Sequence, residues 1–277
     1  MIYKKIYLKN FYKNLKHNAV LEIFVPHIKF YPSKVDPVRP CMLVIPGGAY
    51  LYPSEREGDP VVINFLNKKF VSACLYYTCK KDIKKERLYP TPQLETLAAI
   101  DYLRKHSNEL CIDPNCISLV GFSAGGHLAG SIGYLYKTLA KNLNLKPKEV
   151  KPNALILSYP VISFKEKSGT RLNLIDDDKK YFEKLSINLN IAKDYPPTFI
   201  WTTKNDKVVP YENSVLMNKA LTKSKVKHEF VLFPNGPHGL STVDCNNVAK
   251  ESDLVEFSDV RTWIDKSTIF VKKIFQK

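Results

Sequence analysis

The sequence predicts an α/β fold in which helices cover both faces of a mostly parallel central sheet. Short apolar runs such as Met42–Ile45 show no polar alternation, as expected for strands that are buried on both faces. Segments suited to helix alternate with these runs along the chain, and this alternation is typical of parallel sheets with crossover helices. The chain has 277 residues and is 44% hydrophobic, so residues 1–277 are predicted to form one domain.

The N-terminal segment is predicted to be β structure. Residues 2–8 and 19–25 are short stretches rich in β-branched and aromatic side chains, a composition that favours strands. Connectors that contain proline are expected to follow, at Pro26, Pro32, Pro37 and Pro40.

The later elements follow from apolar runs and their turn signals. Predicted strands cover residues 42–45, 70–77, 116–120, 154–159, 198–202 and 228–233. Predicted helices cover residues 58–69, 123–139, 209–222 and 254–275, and another begins at Thr91-Pro92, with Thr91 as N-cap. A turn is expected at residues 113–115, and the less regular, more charged residues 161–196 indicate a short cap-like insertion.

The formal net charge of +15 raises the possibility of a nucleic-acid partner. Two observations weigh against it. Only six of the 42 basic residues are arginine, the preferred side chain for reading phosphates and bases. The lysines are also scattered as short pairs such as Lys80-Lys81 and Lys179-Lys180. We therefore interpret the charge as a solvated surface and expect no nucleic-acid partner.

The six cysteines show no spacing that is common in zinc sites, so we expect no metal. Cys41, Cys74 and Cys116 lie in or beside apolar runs and are predicted to be buried thiols. The N-terminus has no signal-peptide pattern, and no apolar run approaches the roughly 18 residues of a membrane-spanning helix. A cytoplasmic protein without membrane association is the expectation.

Gly121-Phe122-Ser123-Ala124-Gly125 fits the pattern Gly-x-Ser-x-Gly, between a predicted strand and a predicted helix. This context is what a nucleophile elbow requires, because the serine must stand on a tight turn with small residues on each side. A chance match in an ordinary tight turn is the alternative. A dinucleotide-binding loop is excluded, because that motif needs glycine where Ser123 stands.

A serine nucleophile needs a base and an orienting acid, which follow the serine in the order acid, then histidine. His238 lies in a loop just beyond the last predicted strand, whereas His228 begins that strand. Asp206 follows the preceding strand, at the same edge of the sheet. His238 is therefore the predicted base and Asp206 the predicted acid. Asp194, Asp244 and Glu212 are weaker candidates for the acid.

The tetrahedral intermediate of such a reaction needs two backbone N–H donors for its oxyanion. The Ala124 amide, directly after the nucleophile, is one predicted donor. The loop Pro46-Gly47-Gly48-Ala49-Tyr50, which follows an early strand, is expected to supply the other.

From about Met42 to the C-terminal helix, the sequence resembles the α/β-hydrolase esterases related to acetylxylan and other carbohydrate-ester esterases. The matching stretches are residues 46–50, 54–58, 121–129, 196–201, 206–210, 213–214 and 236–240. The resemblance implies that Ser123, Asp206 and His238 form a catalytic triad, with Gly48, Ala49 and Ala124 as oxyanion donors. Ala49 departs from the pattern, since relatives commonly have a third glycine there. It can donate its N–H if its φ is negative or if the site tolerates strain.

The expected activity is hydrolysis of short-chain acyl esters by a serine carboxylesterase, with acetylated sugars among the substrates and no cofactor. Tyr50 and Tyr159 are candidates for shaping the substrate pocket, although both residue types more often serve packing. A peptidase or lipase on the same fold is an alternative, as is a non-catalytic binding protein. The sequence allows a homo-oligomer and does not determine the oligomeric state.

Overall fold

A central sheet of eight strands organises the structure, a computed structural model that describes residues 2–25, 38–83, 85–245, 247 and 250–276. The strands are β1 (Ile2–Tyr7), β2 (Val20–Val25), β3 (Arg39–Ile45), β4 (Val71–Tyr76), β5 (Ile112–Phe122), β6 (Ala154–Ser158), β7 (Thr198–Thr203) and β8 (His228–Phe233). Their order is β1-β2-β4-β3-β5-β6-β7-β8. β2 pairs antiparallel with β1 and β4, whereas the pairs from β4 across to β8 are parallel. The mostly parallel sheet predicted from the sequence is therefore confirmed.

Helices cover both faces of this sheet. They are α1 (Asp59–Asn67), α2 (Thr91–Lys105), α3 (Ser123–Leu139), α4 (Pro147–Val150), α5 (Gly169–Ile175), α6 (Phe182–Leu185), α7 (Glu212–Lys223), α8 (Ser252–Glu256) and α9 (Trp263–Phe275). One buried cluster draws on α2, α3 and α7, and a second draws on α1 and α9. Because side chains alternate across a strand, Leu43 and Ile45 of β3 enter the first cluster while Met42 and Val44 enter the second. This two-sided burial explains the unbroken apolar runs in the sequence.

Several predicted boundaries differ from those of the structure. Thr91 is the first residue of α2 rather than its N-cap, which is Pro90, and no side chain caps this helix end. The predicted turn at residues 113–115 lies within β5, where the pairing with β3 shifts register and the Asp113 carboxylate accepts the Asn115 N–H at 2.8 Å. The side-chain hydrogen bond typical of a turn is present, but it lies at an irregularity within a longer strand.

The proline-containing connector and the C-terminal helix also differ from the prediction. Pro40 is part of β3, whereas Pro26, Pro32 and Pro37 lie outside the described residues. The predicted helix over 254–275 is divided into α8 and α9. Between them the Asp259 carboxylate accepts the Val260 N–H at 2.8 Å and begins a new turn. This local capping bond competes with a continuous helix.

His127 connects α3 to residues 161–196, which contain α5 and α6. Its imidazole is completely buried; the Tyr50 hydroxyl lies 2.9 Å from Nδ1, and the Leu185 carbonyl lies 2.8 Å from Nε2. A neutral ring that accepts from Tyr50 and donates to Leu185 satisfies both contacts. Burial lowers the pKa of His127 to about 4.

The low pKa of His127 predicts a loss of stability in acid. Above about pH 6.5 the ring is neutral in both the folded and the unfolded chain. As the pH falls towards 4, only the unfolded chain gains a proton here, so this group lowers the free energy of unfolding by up to about 3 kcal/mol. Urea unfolding at pH 7 and pH 4.5 measures the effect in the wild type and in His127→Gln.

We expect His127→Gln to be less stable than the wild type at pH 7 but to lose less stability on acidification. His228→Gln, at the edge of the sheet, is the matched control. An equal loss of stability in the wild type and in His127→Gln would contradict the account.

Candidate active site

Ser123 stands on a tight turn between β5 and α3. Its φ of +52° lies in the left-handed region, which imposes strain on the order of 1–3 kcal/mol on a residue with a side chain. A Cβ atom at Gly121 would overlap the Gly125 carbonyl, and a Cβ at Gly125 would overlap the Ile45 carbonyl. The two glycines of the motif are therefore needed for close backbone packing, which holds the serine in its strained conformation.

The structure brings Ser123, His238 and Asp206 together. His238 Nε2 lies 2.9 Å from Ser123 Oγ, and His238 Nδ1 lies 2.7 Å from Asp206 Oδ2. The buried Asp206 carboxylate also accepts the N–H groups of Val208 and Val209, both at 2.9 Å. Since the carboxylate accepts from Nδ1–H, Nε2 is left free to accept the serine proton.

The loops that carry Asp206 and His238 are joined to each other. They follow the adjacent strands β7 and β8, whose ends pair in register. The Gly236 N–H donates to Asn205 Oδ1 at 2.8 Å, and the Thr203 hydroxyl donates to the Gly236 carbonyl at 2.7 Å. These bonds fix the acid and the histidine relative to the same edge of the sheet.

Asp206 is the candidate acid that is hydrogen-bonded to His238, and the other candidates have different partners among the described residues. Asp194 forms an ion pair with Lys137, at 2.7 Å. Asp244 accepts the Thr242 hydroxyl, and Glu212 begins α7 at the wall of a cavity. His228 contacts the Val226 carbonyl, at 2.7 Å from Nδ1.

The loop after β3 presents two free backbone amides beside Ser123. The Ser54 N–H donates to the Gly47 carbonyl at 3.1 Å, and the Leu51 N–H donates to the Gly48 carbonyl at 2.8 Å. In a trans peptide the N–H points opposite to the carbonyl, so these bonds fix the directions of the Gly48 and Ala49 amides. In the described part of the chain, neither amide has a protein acceptor.

Ala124 supplies a third candidate donor. It is the second residue of α3, where backbone amides have no acceptor within the helix. The N-terminus of a helix also favours negative charge. Ala124 and the loop after β3 are thus arranged as a potential oxyanion hole.

Ala49 has a φ of +54°, in the left-handed region. Of the two cases expected from the sequence, a negative φ or a strained backbone, the structure therefore shows the strained one. Gly48 and Tyr50 also have positive φ values, of +107° and +58°. The Asn173 side-chain amide donates to the Ala49 carbonyl, and the Lys80 N–H donates to the Tyr50 carbonyl, both at 2.8 Å. These bonds hold the strained segment in place.

Tyr50 and Tyr159 lie beneath the site. Their exposed fractions are 0% and 2%, and neither side chain lines the cavities at Ser123. The Tyr50 hydroxyl contacts His127, whereas the Tyr159 hydroxyl donates to Glu57 Oε1 at 2.7 Å. These positions favour a supporting role over direct contact with substrate.

Glu57 is a site residue that sequence reasoning missed. Its carboxylate is buried and accepts the Gly47 N–H at 2.7 Å as well as the Tyr159 hydroxyl. Burial raises the pKa of Glu57, while these two hydrogen bonds act to lower it. The sequence signal is weak, because Glu57 follows Glu55 and Arg56 in a segment that has the charge pattern of an exposed turn.

Two cavities meet at Ser123 and Ala49. The larger, of about 680 Å³, extends towards residues 161–170 and α7, where Val161, Thr170 and Leu216 line it. The smaller, of about 240 Å³, extends towards His238 and the turn that carries Glu57. An extended substrate can therefore place its two sides in separate cavities while its reacting atom lies at Ser123.

The cysteines are all free thiols, and Cys41, Cys74 and Cys116 are buried as predicted. Over the residues that the structure describes, no group of three or more His, Cys, Asp or Glu side chains is placed to hold a metal ion. Over the same residues, no helix is both long enough and apolar enough to cross a membrane.

The chain is similar to curated ester and xylan hydrolases. It is 33% identical over 230 residues to endo-1,4-beta-xylanase B of Butyrivibrio fibrisolvens, covering 80% of this chain and 35% of that protein. It is 26% identical over 242 residues to an acetylxylan esterase of Xylanibacter ruminicola, covering 83% of this chain and 46% of that protein. The chain thus spans less than half the length of either relative.

Solved structures share the fold. An acetyl ester-xyloside bifunctional hydrolase from Caldicellulosiruptor lactoaceticus matches with a TM-score of 0.77 and 29% identity, over 94% of this chain and 89% of that chain. A carboxylesterase from Lactobacillus plantarum matches with a TM-score of 0.86 and 22% identity, over 99% and 98%. The family model named BD-FAE matches residues 28–221. The resemblance inferred from the sequence is therefore confirmed, and the chain belongs to the BD-FAE family and has the α/β-hydrolase fold.

Proposed function

We propose that this protein is a serine carboxylesterase that hydrolyses short-chain acyl esters through an acyl-enzyme intermediate. The observation that carries the proposal is the hydrogen-bond chain from Asp206 through His238 to Ser123, with links of 2.7 and 2.9 Å. This hydrogen-bond chain ends beside backbone amides that have no acceptor among the residues that the structure describes. Together they provide the base, the nucleophile and the oxyanion donors that acyl transfer requires.

In the acylation step, Ser123 Oγ attacks the carbonyl carbon of the ester while His238 Nε2 takes the hydroxyl proton. The carbonyl oxygen becomes an oxyanion, which accepts hydrogen bonds from the amides of Gly48, Ala49 and Ala124. The C–O bond to the alcohol then breaks, and His238 returns the proton to the departing oxygen. Asp206 stabilises the imidazolium and keeps its ring oriented.

In the deacylation step, water takes the place of the alcohol. His238 removes a proton from the water as it attacks the acyl carbon, and the same amides hold the second oxyanion. The bond to Ser123 Oγ breaks, the serine regains its proton from His238, and the carboxylic acid leaves. No cofactor takes part in either step.

The proposed substrates are short-chain esters, with acetylated sugars among them. The names of two relatives support this choice, an acetylxylan esterase and an acetyl ester-xyloside hydrolase. The cavity of about 680 Å³ beside Ser123 has room for a group much larger than acetyl, such as a sugar unit. Its wall next to the insertion is fixed by Asn213 Oδ1, which accepts the N–H groups of Ile162 and Ser163.

Replacing the nucleophile tests the mechanism directly. We expect Ser123→Ala to lower kcat on 4-nitrophenyl acetate by about 10⁴-fold or more, because the acyl-enzyme cannot form. Ser131→Ala is the matched control, since Ser131 lies in the same helix and its hydroxyl donates to the Leu128 carbonyl. Full activity in Ser123→Ala would rule out the proposed nucleophile.

Asp206→Asn tests the role of the acid. The amide can donate to Nδ1 and favour the wrong imidazole tautomer, so kcat at pH 7 should fall by about 10⁴-fold. The control is Asp194→Asn, which removes a carboxylate from a surface ion pair. If both variants kept wild-type kcat values, Asp206 would not be the orienting acid.

A substrate panel tests the proposed specificity. We expect kcat/KM to be highest for the acetyl ester in a series of 4-nitrophenyl acetate, butyrate and octanoate, and acetic acid to be released from acetylated xylo-oligosaccharides. The same preparation of Ser123→Ala is the blank. A preference for octanoate, or cleavage of a peptide amide with no ester turnover, would favour a lipase or a peptidase instead.

A further inference from the structure

We propose that Glu57 is a positioning residue that joins the oxyanion loop to the histidine loop across Ser123. The oxyanion loop is residues 47–50, and the histidine loop is residues 236–241. The inference rests on the proposed esterase function, because it assigns a role in that reaction. Glu57 reaches both loops through hydrogen bonds and belongs to neither.

Three hydrogen bonds form the connection. The Gly47 N–H donates to Glu57 Oε2 at 2.7 Å, and the Tyr159 hydroxyl donates to Glu57 Oε1 at 2.7 Å. The Tyr159 oxygen in turn accepts the Ser241 N–H at 3.1 Å. A single buried carboxylate therefore connects two loops that both line the smaller cavity at Ser123.

On the side of the oxyanion loop, Glu57 fixes the residue that precedes the donors. Both backbone polar groups of Gly47 are hydrogen-bonded: its N–H donates to Glu57, and its carbonyl accepts the Ser54 N–H. The Gly47 carbonyl belongs to the same peptide plane as the Gly48 amide, so these bonds set the direction of that donor. A Cβ atom at Gly47 would lie 2.7 Å from Glu57 Oε2, so glycine permits the carboxylate to come this close.

On the side of the histidine loop, the connection reaches Ser241, a residue held in the left-handed region with φ of +52°. Its hydroxyl donates to the Arg56 carbonyl at 2.6 Å, and its own carbonyl accepts Trp263 Nε1–H at 2.8 Å. The Tyr159 ring also packs against the His238 ring, with 4.9 Å between their centroids. Moving Tyr159 would therefore disturb both the loop and the imidazole.

The surroundings of Glu57 act on its pKa in opposite directions. Both carboxylate oxygens accept hydrogen bonds, an arrangement that favours the ionised form. Burial raises the pKa of Glu57 overall, and the hydrogen bonds from Tyr159 and Gly47 and the charges of His238 and Arg56 oppose that rise. The ionisable groups that face it are Tyr159, Tyr77, His238 and Arg56.

The test compares Glu57→Gln and Tyr159→Phe with the wild type. Glutamine keeps the size of the side chain but offers one acceptor oxygen where Glu57 offers two. Tyr159→Phe removes the link to Ser241 and keeps Glu57 in place. Glu55→Gln is the matched control, because Glu55 is an exposed residue of the same short turn.

The first readout is the rate at which a fluorophosphonate labels Ser123, since the phosphonyl oxygen occupies the oxyanion hole. We expect a decrease of about 10-fold to 100-fold in Glu57→Gln, a smaller decrease in Tyr159→Phe and none in Glu55→Gln. On 4-nitrophenyl acetate, kcat should fall by a similar factor while KM changes little.

The second readout is the pH profile of kcat. A protonated Glu57 cannot accept hydrogen bonds with both oxygens from Gly47 and Tyr159, so its protonation should lower kcat. Tyr159→Phe removes one of the hydrogen bonds that oppose the raised pKa of Glu57, so this pKa should rise further and the loss of kcat on the acid limb should begin at higher pH. A residue that only stabilises the fold would lower the melting temperature without moving this limb.

The outcomes separate the two proposals. If the wild type is labelled but hydrolyses no ester, the proposed function fails, and the labelling rates still decide the role of Glu57. Wild-type labelling rates in both folded variants would overturn the role of Glu57 even if ester hydrolysis is confirmed. If Glu57→Gln does not fold, Tyr159→Phe alone decides. A wild-type labelling rate and an unchanged acid limb of the kcat profile in Tyr159→Phe would then overturn the role of Glu57.

Discussion

The close contact between the turn at Ser123 and the end of β3 is the constraint on which the rest of the site depends. The Gly125 backbone lies so near the Ile45 carbonyl that a side chain at this position would overlap it. This contact places the loop that follows Ile45 directly beside the serine. It also explains how Ser123 keeps a left-handed conformation, since the packed backbones on both sides leave the turn no relaxed alternative.

Parallel register brings the remaining groups to the same place. Ile45 of β3 pairs with Gly121 of β5, and the ends of β7 and β8 pair at Thr203 and Phe233. The loops after these strands therefore emerge at one edge of the sheet, where Asp206, His238 and the oxyanion loop meet Ser123. Hydrogen bonds to the loop carbonyls then set the direction of the free amides, so the site is organised before a substrate binds.

Local sequence signals predicted much of this arrangement. The bounds of α3 and β8 agree with their apolar runs, and each member of the predicted triad follows a strand. What the sequence could not predict depends on distant contacts. Glu57 has the local pattern of an exposed turn, but folding buries it and brings it to Gly47 and to Tyr159, which is 102 residues away in the sequence. The irregularity in β5 and the break before α9 likewise depend on pairing and capping that apolar periodicity does not record.

In the proposed reaction, Ser123 carries the acyl group during turnover. Rapid acid quenching of the wild type with 4-nitrophenyl acetate, followed by peptide mass mapping, measures this directly. We expect an added acetyl group on the peptide that contains Ser123, and no such adduct in Ser123→Ala. An adduct on a different residue, with Ser123 unmodified and ester turnover intact, would contradict this role of Ser123.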